Sequence, residues 1–323
     1  MIRRYLVATT ISVLTLTVSS MDGALAQDYP TKPIRLIVPF SPGGGTELIS
    51  RLLSQKMFET WRRPVVVDFR AGANGDIGTE IAAKVPADGY TLLFHTGSFS
   101  INPLLRAKPR YDSQKDFVPI SLTATAPQLL VAHSSLPVNS VKELVAVSKS
   151  TKISYATPGI GSVGHLSGEL LTIASGVQMV HVPYKGSGAA VSDLLGGHVQ
   201  LMFAAPASMI AHVKSGRLKA LAITSAQRIT GLEEVPTFAE AGYPPVVAVN
   251  WFGVLSTAGT PENIVKKLNQ EIVRIIALPD VRERITNGGY APSSSTPQEF
   301  GQFLRSEHVK WQKVVKAAGV RLE

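Results

Sequence analysis

Short apolar runs recur along the chain, and most are followed by a glycine-bearing turn and then a stretch with helical spacing. Ile34 to Phe40 reads as a buried strand, the loop Ser41-Pro42-Gly43-Gly44-Gly45-Thr46 follows at once, and a helix is predicted from about Thr46 to Trp61. In that helix Leu48, Ile49, Leu52, Leu53, Met57, Phe58 and Trp61 recur at the interval that builds one apolar face. Val65–Val67 is a second strand, Arg70 to Gly78 a Gly/Asn loop, Ile77 to Lys84 a helix, and Tyr90–Phe94 a third strand ending in Thr96-Gly97-Ser98. Repeated strand-loop-helix units predict a mostly parallel sheet with helices on both faces.

The pattern restarts after a long strand-like run from Val118 to His133. A helix over Val141–Ser148 leads to a strand over Lys152–Ala156. A second glycine-rich loop, Thr157 to Gly164, then opens a helix from His165 to Ala174. Strands at Met179–Val182, Val199–Phe203 and Leu218–Thr224 complete this series, with a helix over Gly188–Leu195 between the first two. Two helices, Ile264–Ile276 and Pro297–Ala318, follow as a surface layer. The two series predict an α/β protein of two doubly wound lobes with a cleft between them. Lobe 1 is discontinuous (27–124 plus 225–323) and lobe 2 spans 125–224. Both crossings, near Thr125 and Thr224, lie in strand-like sequence, and two crossing strands can act as a hinge without glycine.

The first residues do not fit this scheme. Arg3 and Arg4 precede an apolar stretch from Tyr5 to about Val18, and Ala24-Leu25-Ala26 forms an A-x-A site, so residues 1–26 read as an export leader cleaved near Ala26. The paired arginines suit twin-arginine export, but their surroundings match that signal poorly and general secretion is favoured. The expected location is the periplasm. The longest uncharged stretch, Ala241 to Pro261, is interrupted by Pro244, Pro245, Asn250 and Gly253, against a membrane helix. No cysteine occurs, which removes disulfides, thiolate metal sites, cysteine nucleophiles and a lipidated N-terminal Cys. With 45% hydrophobic and 17% charged residues, the 323-residue chain has material for well-packed cores. The net charge of +9 is scattered, without the stripe or motif of a nucleic-acid binder, so it reads as a solvated surface or as weak steering of anions.

The candidate chemistry sits in the two glycine loops. Gly43, Gly44 and Gly45 let backbone turn sharply beside a ligand, and the helix behind them presents unpaired N–H groups and a positive dipole end. Ser41 and Thr46 add hydroxyls; an ordinary turn with Thr46 as cap remains open. Thr157 to Gly164 repeats the arrangement. Gly159, Gly161 and Gly164 match G-x-G-x-x-G, but Pro183-Tyr184-Lys185 stands where a dinucleotide fold expects a ribose-binding acid. Two facing helix starts can hold both carboxylates of one ligand. Each charge-assisted hydrogen bond is worth about 1.5–3 kcal/mol, and several together support micromolar binding, about −8 kcal/mol. The 7 histidines show no metal-ligand spacing, and no cofactor is expected. Only His165 adjoins a candidate loop, where it reads as a helix-start residue bonding locally. A Ser162–His165 hydrolase pair can be drawn on paper, but no G-x-S-x-G elbow supports it.

Tyr29-Pro30-Thr31-Lys32-Pro33-Ile34-Arg35 and Val38-Pro39-Phe40-Ser41-Pro42-Gly43-Gly44 make the reading specific. Further motifs follow in order: Gly72 to Gly78, Ala87-Asp88-Gly89-Tyr90-Thr91-Leu92, Val182 to Gly186, Asp193-Leu194-Leu195-Gly196-Gly197 and Trp251-Phe252-Gly253. Together they resemble the Bug-type solute receptors of tripartite tricarboxylate transporters. The resemblance implies a type II periplasmic-binding-protein fold and a small organic acid as ligand. It implies integral membrane transporter subunits as partners, a monomer, and no enzymatic activity or nucleic-acid partner. By position, the implied ligand residues are Ser41, Gly43, Gly44 and Thr46 from the first loop and Thr157, Gly161, Ser162 and His165 from the second. Asn74, Thr96 and Ser98 are implied at the rim or holding water. Glu47 replaces the family's usual Asp. Ala204-Ala205-Pro206 replaces a polar position after Phe203, which implies a less polar carboxylate. A receptor that presents its ligand to a sensor kinase, or an exported hydrolase, are the competing functions.

Overall fold

The computed structural model describes residues 29–42, 44–184 and 186–322. The expected leader and Gly43 lie outside the described residues. In chain order the elements are β1 (Ile34–Val38), α1 (Gly44–Trp61), β2 (Val65–Phe69), α2 (Asp76–Ala83), β3 (Thr91–Thr96), α3 (Ser98–Ile101), β4 (Phe117–Pro127), β5 (Leu129–His133), α4 (Val141–Val147), β6 (Ile153–Thr157) and α5 (Val163–Ser175). There follow β7 (Met179–Pro183), α6 (Ser187–Leu195), β8 (Leu201–Ala204), α7 (Ile210–Lys214), β9 (Leu218–Ile223), β10 (Val249–Thr257), α8 (Glu262–Ala277), α9 (Pro279–Asn287), β11 (Ala291–Pro292) and α10 (Pro297–Ala318).

The strands form two sheets. The first has the order β11-β4-β10-β3-β1-β2 and the second β7-β6-β8-β5-β9. Alternation along β1 separates two cores. Ile34, Leu36 and Val38 face α1, α8 and α9, whereas Ile37 joins Phe99, Trp251, Phe300 and Leu304 on the opposite face. The second sheet is covered in the same way. Leu130, Tyr155 and Phe203 pack on one side, and Leu129, Val131, Ala156 and Met202 on the other.

In each sheet one long strand runs against the parallel set and records how the chain crosses; in the first sheet the two-residue β11 is reversed as well. β1 runs parallel to β2 and β3, and β6 runs parallel to β7 and β8. β10 is antiparallel to β3 and β4, and β5 is antiparallel to β8 and β9. Both reversed strands are the first that the chain enters after leaving the other lobe. A strand arriving from the cleft must run away from it, whereas the parallel strands run toward it.

The long apolar run Val118–His133 is therefore two strands, split at Gln128 between the sheets. Residues 225–248, grouped by sequence with lobe 1, pack on lobe 2. Leu232 and Val235 enter one of its cores, Phe238 and Val246 the other, and the Phe238 N–H donates to the Ile223 carbonyl (3.0 Å). This stretch has no regular period to read, and it covers the outer edge of β9, which would otherwise be an open sheet edge. The crossings are thus at Pro127–Gln128 and Ala248–Val249. Thr224 ties them together: it receives the Gln128 N–H on its hydroxyl oxygen (2.8 Å), donates its own N–H to Gln128 (2.9 Å), and bonds Ala248 through its carbonyl and its hydroxyl.

A separate apolar cluster joins the lobes. Ile101 and Leu105 of lobe 1 meet Val163 and Leu166 of α5, and Trp311, Val314 and Val315 of α10 close over them. The Leu322 N–H then donates to the Leu105 carbonyl (2.7 Å). The last helix, which the apolar period marks as amphipathic, is consequently packed against both lobes.

Candidate functional site

Three loops leave the same edge of the first sheet because β1, β2 and β3 are parallel: residues 39–44, 70–75 and 97–98. Three more leave the matching edge of the second, after β6, β7 and β8. This edge is where helix N-termini, and hence their positive dipole ends, accumulate. The two sets face each other and touch. The Asn74 amide donates across the cleft to the Ile160 carbonyl (3.3 Å). A Cβ on Gly97 would lie 2.6 Å from the Val163 side chain, and one on Gly289 only 1.9 Å from the Ala207 Cβ. Both glycines are thus required for the lobes to approach this closely.

The first-lobe rim is built around Asn74. Ala73 and Asn74 adopt positive φ (48° and 54°), in the left-handed region that costs energy without glycine. The strain is held by a polar web. The Asn74 amide also donates to Asn102 Oδ1 (3.1 Å), while its carbonyl accepts from Asn102 Nδ2 (3.0 Å) and from the Ser98 hydroxyl (3.2 Å). Asn102 also donates to buried Asp76, which pairs with Arg106 at 3.0 Å. Burial pushes the Asp76 carboxyl up, against the Asn102 hydrogen bond and the Arg106 charge. Beneath the rim, His95 is fully buried. Its Nδ1 accepts the Thr96 N–H (2.7 Å), and its ring fills the space beside Gly75 and Phe40. Desolvation lowers its pKa to about 3, so it is neutral at physiological pH.

The second-lobe loop is organised by two histidines. Ser162 caps α5: its oxygen accepts the His165 N–H (3.2 Å) and its hydroxyl donates to the Gly159 carbonyl (2.8 Å). Gly161, at φ 79°, donates its N–H to His165 Nδ1 (3.2 Å). The His165 ring stacks on His181 at 3.8 Å between centroids, and His181 Nε2 shares a hydrogen with the Thr157 hydroxyl (2.6 Å). Burial lowers His165 to about 3, with His181 adding to the effect, and burial lowers His181 to about 4. His165 Nε2 lies 3.7 Å from Glu169, whose carboxylate already accepts the Tyr155 hydroxyl (2.8 Å).

The structure thus brings Asn74, Ser98, Gly161 and Ser162 to one cleft mouth, with Thr157 and His165 beneath it. Ser41 and Gly44 are exposed on the first-lobe side and Thr46 is half-buried in the first turn of α1. Thr96 is buried, its N–H spent on His95. Ser162 and His165 do not form a nucleophile–base pair. The serine meets the histidine's backbone N–H, not its ring, and the ring nitrogen Nδ1 is taken by Gly161. Four contributors escaped sequence reading. His181 props Thr157, Asn102 props Asn74, Asn250 accepts the Gly97 N–H (3.0 Å), and the Tyr290 hydroxyl faces the Gly45 N–H at the start of α1. Only His181, a polar residue alternating within an apolar strand, carries a local signal.

Two α/β lobes joined by crossing strands, with glycine-turned helix starts converging on the gap, define a clamshell solute-binding protein. The sequence profile described as Tripartite tricarboxylate transporter family receptor matches residues 49–320, and the chain belongs to that family. Protein BugT of Bordetella pertussis is 39% identical over 302 residues, covering 92% of this chain and 93% of BugT. A Rhodopseudomonas palustris structure with adipate superposes with a TM-score of 0.83 at 35% identity, covering 91% of this chain and 99% of that one. MatC from the same organism, with bound malate, gives 0.80 at 31% identity over 89% and 100%.

Proposed function

We propose that this chain captures a small organic carboxylate in the cleft between its lobes, in the periplasm after removal of a leader near Ala26, and presents it to the membrane subunits of its transporter. What supports this reading is that the loops opening α1 and α5 leave the ends of parallel strands in the two sheets, beside a gap whose rims meet through Asn74 and Ile160. The ligand's acid groups lie against these starts. Ser41, Gly43, Gly44 and Thr46 act from lobe 1; on lobe 2 Gly161 and Ser162, whose own N–H and hydroxyl donors are taken up within the loop, shape the start of α5 against the ligand. Asn74 and Ser98 close the rim, and Thr157, Thr96 and His165 hold the loops in shape. The adipate- and malate-bound relatives support an acid of this size.

The end of β8 adds a polarity preference. Ala204 is buried, Ala205 half-buried, and Pro206 begins a turn, so this wall offers the ligand no hydrogen-bonding side chain. The chain therefore favours a less polar acid over an amino acid.

Native mass spectrometry of the purified mature protein, followed by calorimetry with adipate, malate, benzoate, aspartate and glutamate, tests both statements. A co-purified acid and binding of adipate or benzoate are expected. Tight aspartate or glutamate binding with none for the less polar acids rejects the preference. Absence of any bound or titratable carboxylate rejects the function.

A further inference from the structure

Gly45, the third glycine of the first loop, does not adopt positive φ, so its backbone does not demand glycine. What demands it is Tyr290. A Cβ on Gly45 would lie 2.6 Å from Tyr290 Cζ and 2.9 Å from Phe252 Cζ, so the phenol ring packs directly on the first turn of α1. Phe252 holds that ring edge-on at 5.2 Å between centroids and is itself stacked on Phe94. The side chain is thus fixed in place by the core before any ligand arrives.

The Tyr290 hydroxyl lies beside exposed Gly44, where a Cβ would be 3.8 Å from it. Its oxygen accepts the Gly45 N–H, and burial raises its pKa, so the phenol keeps its hydrogen. Among the described residues nothing accepts that hydrogen. A hydroxyl that already accepts from a helix-start N–H is a stronger donor, because each bond polarises the next. The donation it has left suits a charged oxygen. The cations of the adjoining elements are spent elsewhere: Arg51 on Glu47 (2.7 Å) and Arg70 on Asp68 (3.0 Å).

We propose that Tyr290 is a ligand-binding residue whose hydroxyl relays the start of α1 to a carboxylate oxygen and fixes the acid end of the ligand on lobe 1. The proposal rests on the carboxylate-receptor reading. It also orients the ligand. Gly289, next to Tyr290 in the chain, meets Ala207 of lobe 2, and Ala204 to Ala207 carry no hydrogen-bonding side chain. An acid held by Tyr290 turns its hydrocarbon toward that wall.

The test begins with calorimetry of the mature protein against adipate, malate and benzoate. The tightest-binding acid is then titrated into Tyr290→Phe, and into protein isotope-labelled at tyrosine Cζ for NMR. Affinity should fall at least tenfold in the variant. One Cζ resonance, absent from Tyr290→Phe, should move downfield on saturation as its hydroxyl comes to donate to a charged oxygen. A tyrosine that only props α1 would cost stability when mutated and would give no such shift. Equal affinity, or a Tyr290 resonance that stays in place, overturns the assignment, while acid binding by the wild type keeps the receptor reading. If the wild type binds none of the acids, both fall. If Tyr290→Phe does not fold, spectra of Tyr155→Phe and Tyr184→Phe exclude the tyrosines beside the second-lobe loops, and the downfield resonance is read in the wild type.

Discussion

Asn74 has two separable roles. Its backbone occupies the left-handed region, where glycine is at least as comfortable, and its side chain alone reaches Ile160 across the cleft. Asn74→Gly therefore keeps the turn and removes the latch. Carboxylate affinity should fall about tenfold, roughly 1.4 kcal/mol, alongside a lower melting temperature because buried Asn102 Oδ1 loses its donor as well; equal affinity in calorimetry would assign the rim contact no part in closure. The buried histidines set a pH response. His95, His165 and His181 all have folded pKa values below the ordinary value of 6.5, at about 3, 3 and 4. The unfolded chain thus binds more protons between those values and 6.5. Stability is complete above pH 6.5 and declines as the pH falls toward 4. Glu169 and Tyr155 face the His165–His181 pair, and neither offsets its desolvation. Thermal melts should show a lower midpoint at pH 4.5 than at pH 7, and His181→Gln should lose part of that difference.

At the scale of elements, the hinge depends on hydrogen bonds that strand propensity does not display. β4 continues into β5 through Gln128, and β9 returns to β10 through residues 224–248. Thr224 accepts the Gln128 N–H at 2.8 Å inside a dry junction. Thr224→Val keeps the shape and orphans that N–H, which costs about 1–3 kcal/mol. Chemical denaturation should register this loss, whereas Thr224→Ser should recover most of it; equal stability of the valine and serine variants would remove the hydroxyl from the account. The start of α5 follows the same logic. Ser162 was legible in the sequence only as a hydroxyl in the glycine-rich loop before a helix. Its engagement with Gly159 and with His165 was not, because those partners are set by the turn's closure.

For the whole molecule, closure is governed by small residues on opposite lobes. Gly289 has φ 79°, and a Cβ there would sit 1.9 Å from Ala207 of the other lobe. Gly289→Ala is relieved most easily by parting the lobes. Small-angle scattering should find a larger radius of gyration with the cognate acid present, and calorimetry a weaker affinity by tenfold or more; an unchanged radius would mean that the lobes do not meet there in solution. The cluster around Trp311 opposes the parting. Leu166 contributes about 1.5–3 kcal/mol of burial at that junction. The closed form is thus held by contacts on both sides of the cleft and by α10.

The sequence alone determined that two α/β series exist, that each opens a helix with a glycine-rich turn, and that their motifs match a receptor family. These are local properties: apolar spacing, positive-φ demands and capping hydroxyls act within a few residues. Only the tertiary structure decided that Val118–His133 divides between sheets, that residues 225–248 cover β9, and that His181, Asn102, Asn250 and Tyr290 support the site. Each of those outcomes rests on contacts between segments far apart in the chain, whose cost in chain entropy is recovered only when the whole fold is assembled. The same reason placed α10 at the junction of both lobes: its amphipathic period showed that one face is buried, and the packed molecule alone shows against what.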